Sequence, residues 1–206
     1  LHTLMKTCAI PDLRFEALFS RMRRVALLHL PELELSRELL DFLSTLAMHC
    51  FTNDYLYPER DDEVALVAEL QETISLGIDR SESISLTNLL CLATYRPIHR
   101  LLPASALTAL DTMPELRQRI FAEPLIERAL IPGIPPLGVI TDITSIKVRR
   151  QYENNPYPRW VRAHVRPEPI SADTIFKQGA LKFLPEIALN LDNPEILIAG
   201  CGTGQH

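Results

Sequence analysis

The chain is short of several things at once, and each shortage closes a class of function. Cysteine occurs four times, at Cys8, Cys50, Cys91 and Cys201, with no Cys-x-x-Cys pair, so neither a zinc site nor a disulfide framework is expected. The neighbours His49 and Cys50 could share a metal with distant ligands, but a helix end with a packed cysteine is the simpler reading. No apolar run approaches the roughly 18 residues of a membrane span, and no charged segment followed by an apolar core opens the chain. A formal net charge of -5 argues against a broad nucleic-acid or anionic-membrane surface, and the basic run Lys147-Val148-Arg149-Arg150 reads as a solvated helix face. A protein of the reducing cytoplasm, without nucleic-acid or membrane partners and without a metal, is the expectation.

What remains is ordinary globular material, with 47% hydrophobic and 23% charged residues in 206, enough for one large or two modest domains. Almost no β-pattern precedes residue 190. Pro11 and Asp12 open a helix whose apolar positions Leu18, Phe19, Met22, Val25 and Leu28 recur every three or four residues. Pro31 ends it, and a second helix is predicted from about Glu32 to Cys50, with the stripe Leu35, Leu39, Leu40, Leu43, Leu46 and Ala47. A third starts at Asp61-Asp62-Glu63 and stops at Gly77. Ser85 to Tyr95 is nearly uncharged and predicts a central, buried helix closed by Pro97. Shorter helices follow at 104–111 and 114–130, the latter interrupted near Pro124. No self-similarity at helical-repeat periods is found, so residues 1–130 read as an irregular helical domain.

Residues 131–141 hold three prolines and two glycines and form the expected linker. Asp142 caps a helix running towards Tyr152, and a further helix begins near Ser171 or Asp173. Asp192-Asn193-Pro194 then turns into Ile196-Leu197-Ile198, an apolar run too short for anything but a central parallel strand. Three of the seven glycines follow it at alternate positions, Gly200, Gly202 and Gly204. Such spacing lets the backbone turn sharply and approach a ligand where a Cβ would collide. A dinucleotide fingerprint would place its third glycine at position 205, where Gln205 stands, and the Gly-Lys-Ser/Thr of a P-loop is absent. A nicotinamide-dependent oxidoreductase therefore ranks behind other readings.

Ile196-Leu-Ile-Ala-Gly-Cys-Gly-Thr-Gly204 resembles motif I of class I S-adenosylmethionine-dependent methyltransferases. Gln151-Tyr-Glu-Asn-Asn-Pro-Tyr-Pro-Arg-Trp160, its distance from the glycine loop, and the earlier Cys50-Phe-Thr-Asn-Asp-Tyr-Leu-Tyr57 are similar to segments of bacterial methyltransferase-like proteins that often carry tetratricopeptide repeats upstream. The resemblance is close over 151–206 and weaker over the rest. It implies a mainly α chain, an irregular helical domain followed by the start of a truncated Rossmann-like α/β methyltransferase domain over 142–206. It also implies S-adenosylmethionine as cofactor, contacted by Ala199, Gly200, Cys201, Gly202 and Gly204, with Tyr152, Tyr157 or Arg159 reaching its methionine end. A turn of prolines and aromatics that packs the helical region onto the α/β domain is the competing role for 151–160. Asn155-Pro156-Tyr157-Pro158 matches the Asn-Pro-Pro-Tyr motif of amino-methyltransferases in neither order nor position, unless the enzyme is permuted.

The chain begins at Leu1 rather than methionine and ends inside the motif, so a piece of a longer protein is expected, its catalytic residues beyond His206 and its substrate, protein or small molecule, unread. A helical protein-interaction module attached to a degenerate, non-enzymatic domain is the alternative. One strand and one glycine loop cannot close a cofactor site. Calorimetry with S-adenosylmethionine on the 206-residue chain is therefore expected to show no micromolar binding, and a micromolar isotherm would contradict this.

Overall fold

The structure, a computed structural model, describes residues 1–34, 36–135, 138–154, 159, 161, 168–171 and 174. They are mainly helical, with no strand among them. Contacts divide the chain into two units, Leu1–Val161 and Arg162–His206. The first extends beyond the proline- and glycine-rich stretch at 131–141, because Arg159 packs back against Phe51 and Asp54. In the second, the Ser171 hydroxyl accepts the Thr174 amide at 3.2 Å, the cap expected for a helix starting there. The strand at 196–198 and the glycine loop lie outside the described residues.

In chain order the helices are α1 (His2–Thr7), α2 (Leu13–Leu28), α3 (Arg37–Thr52), α4 (Asp61–Asp79), α5 (Leu86–Ala93), α6 (Ile98–Leu101), α7 (Pro114–Arg117), α8 (Glu123–Leu130) and α9 (Ile143–Asn154). Side-chain caps set several starts. Asp12 accepts the Arg14 amide at 2.8 Å, Ser36 the Leu39 amide at 3.1 Å and Asp142 the Ser145 amide at 2.7 Å. Ser36 explains why α3 begins later than Glu32: Leu30–Glu32 forms a short 3₁₀ turn around Pro31, and the first good cap comes after it.

The centre of the first unit is α5. Leu89, Leu90, Cys91 and Leu92 are all fully buried, so this helix is apolar on every side and is surrounded by α3, α4 and α2. Each such leucine contributes about 1.5–3 kcal/mol of transfer free energy. A smaller cluster of Met5, Phe19, Leu46, Cys50 and Tyr57 docks α1 along α3.

The structure departs from the expected stripe of α2 and the expected stop of α4, and it gives the short helices at 104–111 and 114–130 a definite form. Of the predicted stripe of α2 only Phe19 faces the core, where Arg23, Ala26 and Leu27 join it, whereas Leu18, Met22, Val25 and Leu28 are each more than a third exposed. The helix is rotated because Arg23 turns inward to partners described below. The short helix expected at 104–111 is a 3₁₀ helix over Ala104–Leu110, whose three-residue repeat lines up Leu107 and Leu110 on the core. Between α7 and α8, Gln118–Ala122 is a π turn in which the Glu123 amide bonds the Gln118 carbonyl. The wider turn directly precedes Pro124, which has no amide to donate and whose ring would crowd a carbonyl in α geometry.

Gly77 does not stop α4 but lies inside it. The terminator is Ser81 at φ 58°, with its amide on Ile78 O at 3.0 Å and the Glu82 amide on Gly77 O at 2.9 Å, a Schellman arrangement normally given to glycine. A Cβ at Gly77 would meet nothing within 4 Å. Gly77→Ala and Ser81→Gly should therefore each raise stability by about 0.5–1 kcal/mol in urea unfolding. Destabilisation by Gly77→Ala would restore the predicted stop.

Candidate functional site

Of the predicted site residues, Ala199, Gly200, Cys201, Gly202, Gly204 and Tyr157 lie outside the described residues. Tyr152 is on α9 and 63% exposed. Arg159 is nearly buried, with 12% of its side chain accessible. It therefore marks the place where a site can be built from observed contacts.

The surface that receives Arg159 begins at the end of α3. Asp54 and Tyr55 both have positive φ, 57° and 58°. For Asp54 this is the usual helix-ending conformation: its amide bonds Phe51 O at 3.2 Å, and the next amide, of Tyr55, bonds Cys50 O at 2.8 Å. Aspartate visits this region with modest penalty, but for an aromatic side chain it costs on the order of 1–2 kcal/mol. The chain accepts that strain, and both residues line one cleft.

Arg159 Nη2 donates to Asp54 Oδ1 at 3.3 Å, and its guanidinium lies 4.4 Å from the Phe51 ring centroid. Phe51 also meets the His99 ring edge-on, with centroids 6.0 Å apart. Beside them Arg96 grips Glu59 with both terminal nitrogens, Nη2 to Oε2 at 2.9 Å, and donates from Nη1 to Tyr95 O at 2.9 Å. Asp54, Tyr55, Glu59, Arg96, Arg100 and Arg159 surround a cleft of about 240 Å³. Arg159 and Tyr55 line this cleft, and Arg159 Nε and Tyr55 Oη are sealed from solvent without a hydrogen-bond partner.

Burial holds the Tyr55 phenol in its protonated form, well above its ordinary range. His99, adjacent to the cleft, is pushed down to about 4, first by burial and then by the charge of Arg100. Its ring is thus neutral at physiological pH. The cleft thus brings together two arginine–carboxylate pairs, Arg159 with Asp54 and Arg96 with Glu59.

The His49–Cys50 pair is committed elsewhere. His49 Nδ1 is 3.1 Å from Met5 O and Nε2 is 2.7 Å from Tyr57 Oη, so both nitrogens serve the α1–α3 junction. Burial lowers the His49 pKa and pushes the Cys50 thiol up to about 12, as it does that of Cys91. No group of three metal-ligating side chains occurs among the described residues, and no described helix is long and apolar enough to cross a membrane.

The sequence singles out Arg159 but not Glu59, Arg96 and Arg100, and it offers Phe51, Asp54 and Tyr55 only within the Cys50–Tyr57 segment. Residues 105 apart in sequence meet here, a proximity that no spacing rule could supply. Compared with known proteins, the chain matches no family model, no curated protein and no solved structure.

The two histidines give the unit a definite acid response. Both have folded-state pKa values below the ordinary value near 6.5, so the unfolded chain binds protons first as pH falls. Stability is fully present above about pH 6.5 and declines towards the His99 value of about 4. The urea midpoint should drop between pH 7 and pH 5, and His99→Gln should flatten that drop; an unchanged profile in the variant would assign the titration to another group.

Proposed function

We propose that the chain is the N-terminal part of an S-adenosylmethionine-dependent methyltransferase, with a helical unit preceding the cofactor-binding domain. The observation that carries this reading is the meeting of Asp54 and Arg159 at 3.3 Å. Each comes from one of the two segments, Cys50–Tyr57 and Gln151–Trp160, whose resemblance to methyltransferase-like proteins is independent in sequence. A shared spatial site gives that double resemblance a physical reason.

In this reading the backbone around Gly200 and Gly202 holds the cofactor, which supplies an already activated methyl group. Arg159 suits a place near the methionine end, because its Nε is a buried donor without a partner and a carboxylate would satisfy it. Asp54 and Phe51 fix the arginine head, so the segment from Tyr152 to Trp160 is anchored to the helical unit at that point. Exposed Tyr152 is free to contact a ligand. The chain's own contribution is therefore positioning and charge complementarity, which methyl transfer chiefly requires.

The second reading, a helical interaction module, has exposed apolar residues to draw on. Ile126, Leu130, Ile131, Ile134, Val139 and Ile143, close together in sequence, are each more than half exposed. That feature is compatible with either function, whereas the paired motifs favour methyl transfer.

Binding of S-adenosylmethionine to the full natural protein, measured by calorimetry, tests the proposal. Gly200→Val and Gly202→Val should each weaken it by tenfold or more, since a side chain would occupy the ligand's space. A full protein that binds no S-adenosylmethionine, or binds it equally in both variants, would leave the interaction module standing.

A further inference from the structure

We propose that the outward faces of α2 and α4 form a self-association surface, on which a second copy of the chain seats its α4 against α2 and its α2 against α4. The inference does not depend on what the glycine loop binds.

The stripe of α2 that hydrophobicity marks as a core face is left outside by the fold. With Arg23 turned inward, Leu18, Met22, Val25 and Leu28 recur every three or four residues along the solvent side of the helix. Single exposed apolar residues are ordinary, but four in register on one helix make a continuous strip. Arg14 and Arg21 stand on the same side, and no exposed residue of α2 is a carboxylate.

Helix α4 has the opposite character. It contains no basic residue, and its exposed carboxylates Asp61, Glu69, Glu72 and Asp79 fall on one side at helical spacing, with the small residues Ala65 and Ala68 among them. Val64 and Leu76, both more than two-fifths exposed, add apolar surface to that side. None of the four carboxylates has a hydrogen-bond or ion-pair partner for its side chain among the described residues, and neither has Arg21.

The two faces belong to one surface. α2 and α4 both pack on α5 with their buried sides and are clamped edge to edge by Arg24 Nη2 on Asp62 Oδ2 at 2.5 Å, so their outward sides lie next to each other. A two-fold axis through that surface brings α2 of each copy onto α4 of the other and closes the assembly as a dimer. Setting α2 on α2, or α4 on α4, would oppose like charges, so the charge pattern selects the crossed arrangement.

Size sets the strength. Helices of 16 and 19 residues are about 24 and 28 Å long, and side by side they offer a face of roughly 500 Å². A pair of such faces buries about 1,000 Å², the lower edge for a specific interface, so the dimer should be weak, with a dissociation constant on the order of 10–100 µM.

Sedimentation equilibrium of the 206-residue chain tests this. The mass should rise from monomer to dimer with concentration, and the association should weaken as salt screens the exposed charges. Arg21→Glu alone, and Glu69→Lys with Glu72→Lys, should each weaken it tenfold or more. An equimolar mixture of these two variants should dimerise again, because every crossed contact then pairs opposite charges. Far-ultraviolet circular dichroism, unchanged in both variants, confirms that they fold. A chain that stays monomeric tenfold above the expected constant would overturn the proposal and leave the face to a different protein. Association indifferent to both charge reversals, or a mixture that stays monomeric, would overturn it as well.

Discussion

The buried guanidinium of Arg23 is the constraint on which the rest of the first unit depends. It is fully inaccessible and donates to the backbone carbonyls of Tyr57 at 3.2 Å, Pro58 at 3.1 Å and Thr94 at 3.4 Å. It also lies 4.1 Å from the Tyr95 ring centroid. Tyr95 in turn donates its hydroxyl to Glu63 at 2.8 Å, and Glu63 accepts the Arg60 amide at 3.0 Å at the start of α4. A guanidinium and a carboxyl group are thus carried into the core, one against the ring of Tyr95 and one at its hydroxyl. Taking a single member away would leave the other charge uncompensated in a medium that solvates it poorly.

Through these contacts α2, the loop after α3, the start of α4 and the end of α5 become one cooperative assembly. The loop 53–60 is pinned at one end by the Tyr55 amide on Cys50 O and at the other by Arg23 on Tyr57 and Pro58. Between those pins the chain holds its left-handed tyrosine and presents Asp54. The geometry of the cleft is therefore set by a group that does not line it. The same loop reaches the second apolar cluster through Tyr57, whose hydroxyl meets His49, so α1 is tied into the same assembly.

Much of the helical order was legible because capping and periodicity are local. Asp12, Asp142 and Ser171 act where their side chains can reach an amide two or three residues on, and the uncharged stretch from Leu86 to Ala93 could only be interior. What misled was also local. Gly77 has the residue type of a stop but not the position, while Ser81 has the position with an unexpected residue type. The stripe of α2 was drawn by hydrophobicity, yet the inward residue is an arginine whose partners come from distant segments. Helix α1 carries too few residues to display a period. Of the candidate site, Arg159 was legible from the company it keeps in sequence, whereas Asp54, Tyr55, Glu59, Arg96 and Arg100 became meaningful only when the fold brought them round it.

The depth of two cysteines has a practical consequence. Cys50 belongs to the cluster that seats α1, Cys91 to the main core around α5, and burial keeps both thiols protonated and sealed, while Cys8 is exposed. An alkylating reagent must wait for the protein to open before it can reach either sealed thiol, so the rates of modification are clocks on two separate openings. The chain thus carries internal reporters able to say whether the N-terminal helix detaches on its own or only when the whole unit comes apart.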